Sequence, residues 1–125
     1  MTSVLDPFSR SGAWDVVTER GARHLFVCQR PNVVVTRWAP LTLDADFDRF
    51  QRRDDDGDAL PLLSVHYAVG NERRRGIAIG APMRLHILGR GGAWSLRVTS
   101  AVRSIVEMPI DEYSDFIGDD GFLVE

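Results

Sequence analysis

The sequence predicts a mainly β fold, a small antiparallel β-barrel or sandwich-like domain with one or two short helices. Three observations predict it. Apolar residues gather in short runs rich in Val, Ile, Phe and Trp, as in strands. Gly, Pro and Asn interrupt these runs at close intervals, which is typical of turns. The 125 residues, 44% hydrophobic and 26% charged, suit one globular domain.

The N-terminal half divides into a leader and three candidate strands. Residues 1–12, which include Pro7, show no periodicity and are interpreted as a flexible N-terminal leader. A β-rich domain is expected over residues 13–108. Its first three runs are joined by short turn-forming links, which favours an antiparallel meander. The runs are Trp14–Glu19, Arg23–Gln29 and Val33–Trp38.

The periodicity then changes. Leu43, Phe47 and Phe50 recur at i, i+4 and i+7, which predicts a short helix from about Asp44 to Arg53. Aspartates near its start and arginines at its end suit the helix dipole. An EF-hand calcium loop is the alternative for this segment, but its sixth position is Arg49 where that loop needs glycine.

The second half again has strand-like runs separated by glycine-rich turns. A basic loop, Gly70–Gly76, and a turn at Gly89–Gly92 divide them. Residues 109–125 form an acidic C-terminal segment, for which a short docked helix is one interpretation. The runs are Leu62–Val69, Ile77–Ile79, Met83–Leu88, Trp94–Thr99 and Val102–Met108.

Alternation of apolar and polar residues assigns faces to two of these runs. Met83, Leu85 and Ile87 form one apolar set, and Trp94, Leu96 and Val98 form another. Both sets are expected to face the core. The remaining side chains of the hairpin, above all Arg84, His86 and Arg97, would then share an outer surface.

Arginines are the candidate binding residues. A face bearing Arg84, His86 and Arg97 could bind phosphate or carboxylate groups through bidentate guanidinium contacts. Arg73, Arg74 and Arg75 give the basic loop its charge, and such a loop could grip a nucleic-acid backbone or an acidic protein. The alternative in both places is a solvated arginine surface.

Other chemistry is not indicated. The net charge of -3 argues against a binder held to nucleic acid by overall charge. His24 and Cys28 on one strand would stand about 13 Å apart at about 3.3 Å per residue, too far to share a metal. The sequence has neither a nucleophile elbow nor a phosphate-binding glycine loop. We therefore expect no metal, no cofactor and no enzymatic activity.

An alternative site is also considered. Ser64 and His66 lie two residues apart on one predicted strand and so share a face. With Tyr67 they could line a small-molecule or catalytic pocket at the mouth of a barrel.

A cytoplasmic protein without membrane contact is expected. No apolar run approaches the length of a membrane span, and residues 1–14 do not resemble a signal peptide. The single cysteine excludes an internal disulfide.

Several strand and turn positions form a pattern: Trp14, Val16, Thr18, Gly21, Val35–Arg37, Leu62–Leu63, Gly80–Met83, Thr99–Val102 and Ile105. This pattern resembles small uncharacterised proteins of high-GC Gram-positive bacteria and their phages. The resemblance spans roughly residues 14–105 and carries no catalytic residue. It implies an accessory or phage-encoded protein.

The sequence thus favours a non-enzymatic binding or accessory module. Its expected partner is a protein or a nucleic-acid backbone, held by the arginine-rich loop and the sheet face. The alternatives are the small-molecule site near His66 and a self-associating structural or phage-particle protein, for instance a homodimer.

Overall fold

The computed structural model describes residues 4–39, 56–89 and 91–109. Within these ranges the chain forms strands, turns and bends, and it contains no helix. The strands are β1 (Val4–Leu5), β2 (Gly12–Thr18), β3 (Arg23–Gln29), β4 (Asn32–Trp38), β5 (Ala59–Val69), β6 (Glu72–Arg75), β7 (Ile77–Ala78), β8 (Pro82–Leu88) and β9 (Trp94–Glu107).

The main sheet is built from antiparallel pairs. Short turns connect β2 to β3 and β3 to β4, so these strands form the meander that the sequence predicts. β9 is one continuous strand of 14 residues, whereas the sequence predicts two. Because of this length it pairs with β8 through its first part and with β2 through its last part.

Hydrogen bonding closes six of the strands into a ring. The order is β4-β3-β2-β9-β8-β5, and β5 then pairs with β4 through Ala59–Pro61. β6 continues the pairing of β5 beyond β4, through His66–Val69. The ring explains the pattern of inward and outward side chains, since each strand has one face toward the enclosed core.

The core lies inside the ring. Every strand of the ring contributes large apolar side chains to it, as its alternating sequence requires. A second, smaller cluster on the other face of β2, β3 and β4 contains Ala13, Leu25, Val27 and Val34. Side chains of the main core that are almost inaccessible to solvent include Trp14, Val16, Phe26, Val65, Met83, Ile87 and Val102.

The segment interpreted as a leader contains packed residues from Val4 onward. Val4 and Leu5 form β1, which pairs with β7 in a separate two-stranded sheet. Leu5 is buried in the main core, and Phe8 packs against the same core. The described part of this segment therefore takes part in folding through a strand pair and through apolar burial.

The mainly β, antiparallel fold is confirmed. The predicted helix at Asp44–Arg53 and the C-terminal segment beyond Pro109 lie outside the described residues. Where the chain is described, no helix is long and apolar enough to cross a membrane.

One face assignment is wrong. Met83, Leu85 and Ile87 are buried as predicted, but the apolar set of the following strand is on the outside. The cause is register: Leu85 is opposite Arg97, and Ile87 is opposite Ser95. Directly opposite residues share a face, so the other alternating set of β9 points outward. Its members Trp94, Leu96 and Val98 are 51%, 51% and 57% exposed.

Candidate functional site

Two regions of the structure carry side chains that suit binding. The first is the outer surface of strands β6, β5, β8 and β9, and the second is one end of the ring interior. Cross-strand register defines the first region, since opposite residues lie on the same face. This region, called the outer face below, consists of Arg73 and Arg75, Ser64 and His66, Arg84 and His86, and Trp94, Leu96 and Val98.

One side of the outer face is apolar. Trp94, Leu96 and Val98 alternate along β9 and are each about half exposed. Leu63, on the outside of β5 next to a break in register, is 57% exposed and lines the same groove as Trp94. Large apolar side chains of β9 and β5, on either side of β8, thus form a patch, which is the usual mark of an interaction surface.

The other side of the outer face is cationic. Arg73 and Arg75 are not in a loop, as the sequence predicts, but on strand β6, opposite Ala68 and His66. Arg84 continues the same row on β8, because it is also paired with His66. Burial and the neighbouring Arg73 and Arg75 lower the pKa of His66, so His66 is predominantly neutral at pH 7.

Arg74 belongs to a different surface. It lies between Arg73 and Arg75 on an extended strand, so its side chain points to the opposite face. It is paired with Tyr67 in the ladder and bonds the carboxylate of Glu72 at 2.9 Å. The three consecutive arginines therefore do not act as one cluster.

The alternative pocket at Ser64, His66 and Tyr67 is not formed as a unit. Ser64 and His66 point outward, whereas Tyr67 is buried. The Ser64 hydroxyl lies 3.3 Å from Nδ1 of His86, which is a hydrogen bond across two strands. Cavities at the end of the ring near the β2–β3 turn and beside Phe8 and Trp94 are lined by other residues.

The second region is the end of the ring near the β2–β3 turn. It is called the ring mouth below. Arg97 lies here, which corrects the prediction that it shares a surface with Arg84 and His86: its pairing with Leu85 turns it inward. Residues of the ring mouth are Thr18, Arg20, His24, Arg37, Arg97 and Ser100, and they line a cavity of about 310 Å³.

His24 is a deeply buried polar residue of the ring mouth. It is 3% exposed, and its ring stacks on Phe26 with 6.5 Å between ring centroids. Its Nδ1 is buried without a hydrogen-bond partner. Burial, Arg37 and Arg97 lower the pKa of His24 to about 3, so the imidazole is neutral at pH 7.

Arg37 is held in place beside His24. The two residues are paired directly across β3 and β4. Nη1 of Arg37 bonds both carboxylate oxygens of Asp56, at 2.7 and 2.8 Å. The side chains of this pair are only 15% and 14% exposed, so the contact is little screened by water. Asp56 thus fixes one wall of the cavity.

The residues of the ring mouth are not found by reasoning from the sequence, where His24 is considered only as a metal ligand. A signal for them does exist. His24 lies two residues from Phe26, and Arg37 lies two residues from Val35, so each shares the inward phase of its strand. Polar residues in the inward phase of a strand indicate the end of a core or a site within it.

Within the described residues, no group of three or more His, Cys, Asp or Glu side chains could hold a metal ion. Comparisons of the chain with protein-family models, with curated proteins and with solved structures find no match. The chemistry of the outer face and of the ring mouth therefore carries the functional argument.

Proposed function

We propose that this protein is a non-enzymatic binding module that recognises an acidic, partly apolar segment of another protein through its outer face. The observation that carries the proposal is the exposed apolar set Trp94, Leu96 and Val98 lying beside a cationic row. The ring of six strands, which we interpret as a small barrel, serves as the rigid scaffold. A cytoplasmic accessory role, in a bacterium or a phage, fits this activity.

The apolar part favours a protein over a nucleic acid. Protein interfaces are enriched in aromatic residues and arginine and poor in lysine, and all fifteen basic residues of this chain are arginine. Leu96 and Val98 would gain nothing from contact with phosphates. Binding a duplex, whose bases are stacked inside, would leave this part of the face in water.

The cationic part of the outer face is the reason to expect an acidic partner. Among the described residues, Arg73, Arg75 and Arg84 form no ion pair with a carboxylate of the chain. Their guanidinium groups are therefore available to carboxylates of a partner, which they can bind through two parallel hydrogen bonds. Charge complementarity of this kind raises the association rate and suppresses wrong partners.

The experiment is selection of peptides from a displayed random library on the immobilised full chain. We expect selected sequences to combine Asp or Glu with large apolar residues. Leu96→Asn should weaken the best of these peptides about tenfold or more, as loss of a central apolar contact does. The matched control is Val106→Asn on the same strand, since Val106 is 57% exposed but outside this face. It should leave the affinity unchanged.

A second variant set tests the charge. Replacing Arg73, Arg75 and Arg84 by Gln should lower the affinity for the selected peptides and reduce its dependence on salt. Selection of peptides without acidic residues, or equal binding by Leu96→Asn, would disprove the proposal. Tighter binding of a single-stranded oligonucleotide, lost with the arginines but not with Leu96, would establish the nucleic-acid alternative in its place.

A further inference from the structure

The cationic row of the outer face ends on a strand that has a free edge. We propose that the acidic part of the partner binds there as an extended strand, paired antiparallel with β6, with acidic side chains at every second position. The acidic partner is that of the proposed function, on which this inference rests. What is added is the conformation of the partner and the backbone groups that hold it.

β6 is an edge strand of the main sheet. It follows β5 and is last in the strand order, and among the described residues β5 is the one strand that pairs with it. All four of its residues are exposed. A strand edge of this kind presents unpaired N–H and C=O groups, to which a strand of another chain can add.

The backbone hydrogen bonds of the ladder show which groups of β6 are unpaired. The N–H of Gly76 donates to the carbonyl oxygen of Val65 at 2.9 Å, which continues the β5–β6 ladder by one residue. Hydrogen-bonded and non-hydrogen-bonded pairs alternate along an antiparallel ladder. The backbone groups of Arg74 therefore point toward β5. Those of Arg73 and Arg75 point away from β5, to the free edge.

Arg73 and Arg75 also carry the charge that favours an acidic strand. Their side chains lie on the outer face and form no ion pair with a carboxylate among the described residues. Directly opposite residues of paired strands share a face, with Cβ atoms about 5 Å apart. An acidic residue opposite either arginine therefore gains backbone hydrogen bonds and an ion pair from the same residue of β6.

The position between the two arginines favours a neutral partner residue. Arg74 points to the opposite face, where it bonds the carboxylate of Glu72 at 2.9 Å. A partner residue opposite Arg74 meets a guanidinium that is already neutralised, so a charge there adds little. The free edge of β6 thus selects an acidic, a neutral and an acidic residue in succession.

A second copy of β6 does not fit this edge. Antiparallel pairing of two copies places arginines opposite arginines, and like charges directly opposite each other are destabilising. Charged side chains on an edge strand are a common protection against self-association. On β6 the same charges leave the edge open to an acidic strand.

The position of the edge sets the length of a partner that reaches both parts of the outer face. The strands β6, β5, β8 and β9 are consecutive in the sheet. A strand added to β6 lies four strand spacings from β9, about 19 Å along the sheet. An extended chain covers this distance in about six residues. We therefore expect about six residues between the acidic pair of the partner and the side chain that contacts Trp94 or Leu96.

The test uses the full chain and an eight-residue peptide of alternating threonine and aspartate, with blocked ends. In an antiparallel pair, the residue opposite Arg73 or Arg75 exchanges both backbone hydrogen bonds with it. The N–H groups of the aspartates then face β6, and those of the threonines face water. Two methylated peptides separate these sets: one is N-methylated at every aspartate, and its matched control is N-methylated at every threonine.

We expect saturable shifts in two-dimensional NMR with the unmodified peptide and with the peptide methylated at threonine. The peptide methylated at aspartate should bind about tenfold more weakly or less tightly still, because the hydrogen bonds to β6 are lost. A peptide with asparagine in place of aspartate should bind about fivefold more weakly, through loss of the ion pairs. Amide hydrogen exchange should slow at Arg73 and Arg75 in the complex and stay unchanged at Arg74.

Two variants test the same groups from the side of the protein. Arg73→Ala removes the side chain alone, whereas Arg73→Pro also removes the N–H. Proline is accepted on an edge strand where the missing N–H faces solvent. We expect Arg73→Pro to bind the unmodified peptide about threefold more weakly than Arg73→Ala. If Arg73→Pro does not fold, the methylated peptides still decide the question.

Three results would overturn the inference: no saturable binding of the unmodified peptide, equal binding of the two methylated peptides, or unchanged amide exchange at Arg73 and Arg75 in the complex. With any of these, the proposed function still holds if Leu96→Asn weakens the selected peptides. Loss of the proposed function is read separately, from the composition of those peptides and from Leu96→Asn.

Discussion

Leu85 on β8 and Arg97 on β9 are directly opposite each other, and both side chains face the interior of the strand ring. This one pairing separates the outer face from the ring mouth. It turns an arginine inward to the ring mouth, and it turns Trp94, Leu96 and Val98 outward. The exposed apolar set of β9 and the inward position of Arg97 are thus two consequences of the same register.

The register predicts unequal effects of similar truncations. Leu85 is 2% exposed and Leu96 is 51% exposed. Leu85→Ala should therefore lower the free energy of unfolding by about 2–5 kcal/mol, as loss of a packed core side chain does. Leu96→Ala should change it by about 0.5 kcal/mol or less, as is usual at the surface. Urea unfolding measures both, and equal losses would contradict the register.

The sequence predicts the strands of this hairpin but not its register. Alternation places Met83, Leu85 and Ile87 inward, yet it does not say which set of β9 is opposite them. The turn decides this: Leu88 pairs with Trp94, and a shift of one residue would exchange the faces of β9. The apolar set of β9, Trp94, Leu96 and Val98, lies on the outside. The pattern of apolar residues by itself therefore favours the wrong face.

The ring and its mouth depend on pairings between distant parts of the chain. The β4–β5 and β2–β9 pairs join residues separated by long stretches of sequence, and no local signal specifies them. The arginine pattern of β6 does locate part of the outer face, since Arg73 and Arg75 point to it. His24 and Arg37 come together only once β3 and β4 are in register.

Gly76 is predicted to be indispensable to the docking of the N-terminal strand. It has φ of 117°, and a Cβ atom at this position would lie 2.6 Å from the carbonyl oxygen of Leu5. Gly76→Ala should lower the free energy of unfolding by about 2 kcal/mol or more, through backbone strain and this clash. Gly91→Ala is the control, because a Cβ there meets nothing within 4 Å. Equal stability of the two variants, measured by denaturant unfolding, would refute this role.

The Arg37–Asp56 contact is predicted to stabilise the fold. Replacing the carboxylate removes one charged contact from a largely buried guanidinium, so Asp56→Asn should lower the free energy of unfolding by about 2 kcal/mol. The Arg10–Glu107 pair also has two contacts, one from each terminal nitrogen of Arg10, but its side chains are 57% and 55% exposed. Glu107→Gln should therefore cost less. Thermal unfolding of both variants tests the order, and a larger loss for Glu107→Gln would contradict it.

His24 makes stability depend on pH in a defined direction. Burial, together with Arg37 and Arg97, lowers its pKa from 6.5 to about 3. Below pH 6.5 the unfolded chain binds a proton at this residue that the folded chain does not bind. The free energy of unfolding must therefore fall as the pH decreases from about 6.5 toward 3. Well above pH 6.5 the imidazole of His24 is neutral in both the folded and the unfolded chain, so His24 no longer makes the free energy of unfolding depend on pH.

We expect His24→Leu to remove much of this dependence. Native stability should fall with decreasing pH more steeply than that of the variant, by about 1 kcal/mol per pH unit between pH 6 and pH 4. The carboxylates also titrate near the lower end, and comparison of the two chains cancels their contribution. His66→Gln is the control: its pKa is also lowered, but His66 is only partly buried, so a smaller change in slope is expected. Parallel pH profiles for the native chain and His24→Leu, from urea unfolding at each pH, would show that His24 does not remain neutral in the folded state.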